Sequence, residues 1–97
     1  MINPLEAVIE AYLVKRIRSI GGECEKFNSM SRRSVPDRII TMPGAKIIFV
    51  ELKRHGKQPT EMQQRDHQRR REMGFDVRVI DSKDSVDTLI KELMCAS

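Results

Sequence analysis

Three charged side chains stand at the ends of what read as two apolar strands. In VPDRIITMPGAKIIFVELK, Val35 to Lys53, Asp37 opens the first apolar run, and Glu51 and Lys53 close the second. Pro43-Gly44 between the runs is a turn signal. If Pro43-Gly44-Ala45 forms a three-residue hairpin loop, Met42 pairs with Lys46, and counting outward sets Asp37 opposite Glu51. Opposed residues of an antiparallel pair share a face, with Cβ atoms about 4.5–5.5 Å apart. Alternation adds Lys53 to that face, two residues beyond Glu51. A slip of one residue would send Glu51 to the other face, so the loop length carries the deduction.

Two adjacent carboxylates repel unless a positive charge lies between them. Mg²⁺ (or Mn²⁺) suits such a place. Mg²⁺ takes oxygen ligands at about 2.0–2.1 Å and usually keeps several waters together with a substrate phosphate oxygen. A neighbouring lysine can orient or deprotonate a water, or neutralise charge developing on phosphate. The chemistry that results is metal-assisted phosphodiester hydrolysis. Singly, each feature has a plainer meaning. Pro36-Asp37 can simply start a turn, and Glu51 with Lys53 can be a strand-end ion pair worth about 0–1 kcal/mol.

The 97 residues suit one domain, spanning 1–97, with a modest core. No apolar run reaches 18 residues, so no membrane-spanning helix is expected. The opening MINPLEAVIE has acids where a secretory signal carries basic residues. Cys24 and Cys95 are isolated, which argues against zinc and for a reduced, cytoplasmic protein. Net charge is +4, from 18 basic and 14 acidic residues. The basic residues cluster around the acids: Arg32 and Arg33; Lys53, Arg54 and Lys57; Arg65, Arg69, Arg70 and Arg71. A solvated surface is the usual meaning of such runs, and a nucleic-acid backbone is the functional one.

The elements that must position these groups follow from periodicity. Leu5, Val8, Ile9, Tyr12, Leu13 and Ile17 predict a helix over Pro4–Ile20, capped by Asn3 and ended by Gly21-Gly22, with Tyr12 in the core. A short strand is expected at Cys24–Phe27, then a polar loop at Asn28–Ser34. Strands follow at Arg38–Met42 and Lys46–Leu52, then a loop at Arg54–Pro59. Thr60–Met73 reads as a second helix, Phe75–Ile80 as a strand, and Ser82 as the cap of a last helix with Val86, Leu89, Ile90, Leu93 and Met94 in its stripe. The order α-β-β-β-α-β-α predicts an α/β fold, a mixed sheet flanked by helices. Between Met62 and Met73 the second helix has no apolar residue. It therefore reads as poorly buried, with arginines free for phosphates. Thr60 and Gln63 fit a capping box, and His67 reads by default as a surface histidine.

The stretches IEAYLVKRI, GGECEKF, VPDRII, IIFVELK, EMQQRDH and GFDVRVID carry a resemblance over nearly the whole chain. In order and spacing they resemble the VRR-NUC family of PD-(D/E)xK nucleases, above all its small standalone forms in phages and bacteria. The resemblance implies a restriction-endonuclease-like fold and a metal site built from Asp37, Glu51 and the Leu52 carbonyl. It implies Lys53 as the catalytic lysine and Gln63 as the glutamine of the second helix. Glu6 and Glu10 both stand where relatives carry an acid on the first helix, and Glu10 is set with the metal ligands. Relatives commonly have glycine where this chain has Ser34. The resemblance also implies branched DNA as substrate and a homodimer like a Holliday-junction resolvase. The alternatives are a less selective flap or duplex nickase, or an inert basic DNA-binding module. Arg32, Arg33, Arg54, Lys57, Arg65, Arg69 and Arg70 are the expected DNA contacts.

Overall fold

A computed structural model describes residues 3–95. The elements are α1 (Pro4–Ser19), β1 (Glu23–Lys26), β2 (Arg38–Met42), β3 (Lys46–Leu52), α2 (Glu61–Glu72), β4 (Asp76–Ile80) and α3 (Lys83–Cys95). The expected order holds, and β2 and β3 have the expected ends. α1 starts at Pro4 because Asn3 Oδ1 accepts the Leu5 N–H at 2.8 Å, and Pro4 itself has no N–H to satisfy. Ser82 Oγ likewise accepts the Ser85 N–H at 3.0 Å and starts α3.

The strands lie in the order β1-β2-β3-β4. β1, β2 and β3 are antiparallel neighbours, and β4 runs parallel to β3 after the crossover through α2. Met42 pairs with Lys46 and Arg38 with Val50. The hairpin loop therefore has three residues, and the register that places Asp37 against Glu51 is the one adopted. Gly44 and Ala45 turn the chain with φ of 85° and 62°. Gly44 takes such a φ at no steric cost, whereas Ala45 does not.

One face of the sheet carries Cys24, Ile40, Ile48, Val50, Leu52 and Ile80. These pack against Ile9, Leu13 and Ile17 of α1 and Val86, Leu89 and Ile90 of α3. Each such side chain contributes about 1.5–3 kcal/mol when fully buried. Tyr12 packs at the margin of this core, and its hydroxyl donates to Asp87. The opposite face receives α2, whose buried residues are Asp66 and His67. α2 is otherwise largely exposed, as its lack of apolar residues predicts, yet polar groups fasten it closely. Asp66 accepts from Arg69 at 2.6 Å and from Arg70 at 2.8 Å. The Arg70 guanidinium stands 5.0 Å over the Phe27 ring and 4.8 Å over Phe49. Phe75 meets Phe49 edge-on at 5.5 Å. Arg71 donates to the Val77 carbonyl of β4 at 2.8 Å.

Ser34 has a φ of 59°, a left-handed conformation. That backbone explains the glycine expected at this position, and the loop keeps its shape without one. An L-residue in this region costs about 1–2 kcal/mol, and glycine returns roughly 0.5–1 kcal/mol through its freer unfolded chain. Ser34→Gly is therefore expected to stabilise the fold by about 0.5–1 kcal/mol, a gain of a few degrees in Tm. Urea and thermal unfolding measure it. A loss of stability would mean that the serine side chain contributes more than its backbone costs.

Candidate active site

The site forms where β2 begins and β3 ends. Pro36, which is buried, delivers Asp37 to the mouth of β2, and the Phe27 N–H donates to the Asp37 carbonyl at 3.0 Å. Asp37 Oδ2 in turn accepts the Leu52 N–H at 2.7 Å. The carboxylate of one strand thus holds the main chain of the other, one residue from Glu51. Asp37 is exposed, whereas Glu51 is 2% exposed.

Glu51 lies on the face that α2 covers. Gln63 Nε2 donates to its Oε2 at 3.3 Å, and Lys53 Nζ stands 4.0 Å from the same oxygen. His67 Nε2 lies 3.4 Å from Oε1. Burial pushes the Glu51 carboxyl up to about 9. The neighbouring Asp37 carboxylate pushes the same way and Glu6 adds to it, while only Lys53 opposes. Glu51 is thus a carboxylate denied both water and sufficient positive charge. Burial lowers the His67 pKa, and the Arg71 charge lowers it further. Both shifts favour a neutral pair, so the 3.4 Å His67–Glu51 contact is a hydrogen bond between neutral partners rather than an ion pair.

This corrects the expectation for His67. It is 2% exposed and belongs to the site. Its position one turn beyond Gln63 was the available signal, but burial of an arginine-rich helix could not be read from hydropathy. Gln63 makes both the capping contact and the contact with Glu51. Its Oε1 accepts the Thr60 N–H at 2.8 Å, and its N–H donates to Thr60 Oγ1 at 3.2 Å. The capping box fixes the side chain that reaches Glu51.

The two acids of α1 separate. Glu10 Oε2 accepts from Arg38 Nε at 2.9 Å, and Arg38 also donates to the Cys24 carbonyl at 3.0 Å. Glu6 Oε1 accepts the Arg54 N–H at 3.2 Å, directly after Lys53. Both border a hollow of about 390 Å³ with Lys26, Phe27, Asn28 and Asp37. Glu10 already has a counter-ion there, and among the described residues Glu6 has no partner beyond a main-chain amide. Among the described residues, no three His, Cys, Asp or Glu side chains converge as a ready cation cluster. A cation here would have two carboxylates, main-chain oxygen and solvent.

Of the expected DNA contacts, Arg32, Arg33, Arg65 and Arg69 line one depression of about 340 Å³ between the Asn28–Ser34 loop and α2. Arg65 also bonds Glu61 at 2.7 Å, and Arg69 bonds Asp66. Lys57 is exposed, and Arg54 is half-buried beside Glu6. Arg70 does not join this surface. Its side chain is 11% exposed, stacked on two phenyl rings and tied to Asp66. The Asp66, Arg69 and Arg70 spacing of three and four residues is an ion-pairing pattern that could have flagged this.

No family model matches the chain. It is 49% identical over 79 residues to "Putative nuclease p44" of Acyrthosiphon pisum secondary endosymbiont phage 1, a match covering 81% of this chain and 85% of that relative. Its fold overlays a solved structure described as "VRR_NUC domain" with a TM-score of 0.87 and 32% identity, covering 92% of this chain and 97% of the other. The mixed four-stranded sheet with flanking helices is thus a restriction-endonuclease-like fold. With this identity, coverage and shared fold, the chain belongs to the VRR-NUC nuclease family.

Proposed function

We propose that this protein is a metal-dependent DNA endonuclease that hydrolyses phosphodiester bonds at the Asp37–Glu51–Lys53 site. The observation that carries the reading is Glu51, buried to 2% exposure beside a second carboxylate with one lysine 4.0 Å away. Without a cation such a pair keeps a proton, and a divalent ion takes that proton's place. The donor set fits Mg²⁺ or Mn²⁺, with Asp37, Glu51 and the Leu52 carbonyl as ligands and room for water and a phosphate oxygen. When bound, such an ion supplies Lewis acidity, polarising the phosphoryl oxygen and lowering the pKa of a water.

The chain's own groups do the rest. Gln63 and His67 hold the two oxygens of Glu51 from the α2 side and leave its orientation fixed. Asp37, anchored by the Leu52 N–H, presents its remaining oxygen to solvent at the mouth of the site. Lys53 is half-buried and faces the same spot, where its ammonium orients the attacking water and offsets charge on the phosphate. Glu6 is the α1 acid this reading takes, because Arg38 already engages Glu10. Arg32, Arg33, Arg54, Lys57, Arg65 and Arg69 bind the DNA backbone, and Arg70 holds α2 in place. Branched DNA as substrate and a homodimer as the active form rest on the family resemblance. Two sites about a two-fold axis would cut two strands symmetrically.

Three measurements test this. With labelled four-way junction and duplex DNA, cleavage is expected with Mg²⁺ or Mn²⁺ and none with EDTA. Lys53→Ala should lose about 100-fold or more in rate, with DNA binding retained. Binding by the wild type with no cut in either metal would sink the enzymatic reading. In EDTA, the folded protein holds a proton on Glu51 (pKa about 9) that the unfolded chain releases near 4.5. Stability should therefore fall as pH rises through that window. At pH 7 Glu51→Gln should stabilise the metal-free protein by about 1 kcal/mol or more, roughly 4–8 °C in a domain of this size, and should abolish any rise in Tm with Mg²⁺. A mutant that unfolds earlier in EDTA would contradict this account of Glu51. Arg65→Ala should lower the salt slope of DNA binding by about one and leave Tm nearly unchanged, because its only partner among the described residues is the exposed Glu61. Arg70→Ala should lower Tm by several degrees. The reverse pattern would place Arg70 on the DNA.

A further inference from the structure

Between β1 and β2 the chain makes a nine-residue excursion, 28–36, whose ends are tied at the site. The Phe27 N–H donates to the Asp37 carbonyl at 3.0 Å, so the excursion leaves from a metal-site carboxylate and returns to it. Such closed surface loops are frequently functional. Its root is packed: Phe27 stacks with Arg70 and lies 5.7 Å from the Phe49 ring. Its tip is a turn pinned by Ser29, whose Oγ accepts the Arg32 N–H at 3.2 Å. Turn corners favour glycine, asparagine, aspartate, serine and proline. Here the corner carries Met30, fully exposed. The returning limb carries Arg32 and Arg33, which face Arg65 and Arg69 across the basic depression.

A lone exposed methionine on a protein surface needs no explanation. The place of this one does. Three residues span at most about 11 Å, so Met30 stands within about 11 Å of the loop's root. That is about three base steps, at roughly 3.4 Å per step along one strand. An unbranched apolar side chain flanked by phosphate-binding arginines is the composition of a wedge that enters a base stack.

Building on the nuclease reading, we propose that the 28–36 loop selects DNA by its stacking. Met30 inserts between bases within about three steps of the cut, while Arg32 and Arg33 hold the adjoining phosphates. Insertion requires that a base step open. A branch point, flap junction or mismatch offers a step already weakened, and continuous duplex does not. The wedge therefore makes DNA with a stacking defect near the cut the preferred substrate.

The test places 2-aminopurine at single positions one to five steps from the mapped cut in a four-way junction and in matched duplex. Fluorescence is read on binding in EDTA, and cleavage is read separately in Mg²⁺. The wild type is expected to raise fluorescence at one position within about three steps and to prefer junction over duplex. Met30→Ser should remove that signal and reduce the junction-to-duplex preference about tenfold, the low end of what one aromatic–base stack contributes. Met30→Leu should restore both. Preference and signal unchanged in Met30→Ser would overturn the wedge while leaving the nuclease intact. A Met30-dependent signal with no cleavage by the wild type would overturn the nuclease reading and keep the wedge. No binding to either DNA would overturn both.

Discussion

A carboxylate buried without a full counter-charge is the constraint around which this protein is arranged. Glu51 is 2% exposed, and its nearest cation is Lys53 at 4.0 Å. Isolated burial of an ionised carboxylate is so costly that the group normally neutralises instead. Every neighbour of Glu51 makes sense as a response to that cost. Gln63 donates a hydrogen bond, His67 shares one, and Asp37 is turned so that one oxygen is spent on the Leu52 amide. What the chain does not supply is the positive charge that would let Asp37 and Glu51 be ionised together. A divalent cation shared with a phosphodiester substrate would supply it.

The same constraint governs how α2 is attached. A helix covering a charged site cannot present an apolar face to it. α2 instead offers polar side chains on its inner side and arginines elsewhere, and it docks through pairs that neutralise locally. Asp66 gathers Arg69 and Arg70, and Arg70 lays its planar guanidinium on Phe27 and Phe49. Arginine suits this place because its guanidinium can stack and hydrogen-bond at once, which lysine cannot do. The apolar anchoring comes from the sheet and loop, not from the helix. One consequence is that the arginines of α2 divide by depth. Those bordering the 28–34 loop face the open depression, and Arg70 is committed to the interior.

The apolar side of the sheet is conventional and carries the stability. Ile9, Leu13 and Ile17 of α1 close with Val86, Leu89 and Ile90 of α3 over six sheet residues. This core leaves the other face free to be polar. Arg38 and Glu10 mark the boundary, a paired charge at the margin of the apolar layer. That pairing gives Glu10 a counter-ion, while Glu6, one turn earlier, stands beside the residue that follows Lys53.

Much of this was legible in the residues alone. Element order follows from hydrophobic period and turn residues. The meeting of Asp37 with Glu51 follows from a three-residue loop, because strand alternation turns loop length into geometry without further information. The capping box of Gln63 is local and equally readable. The separate partners of Glu6 and Glu10, the burial of His67, and the withdrawal of Arg70 from the surface were not readable. Each depends on which groups from distant elements arrive at the same place. Spacing along a helix says which face a side chain occupies, but not whether that face meets water, an aromatic pair or a carboxylate. Those encounters are made only when the sheet, α1 and α2 have packed, and there the tertiary structure decided what the sequence left open.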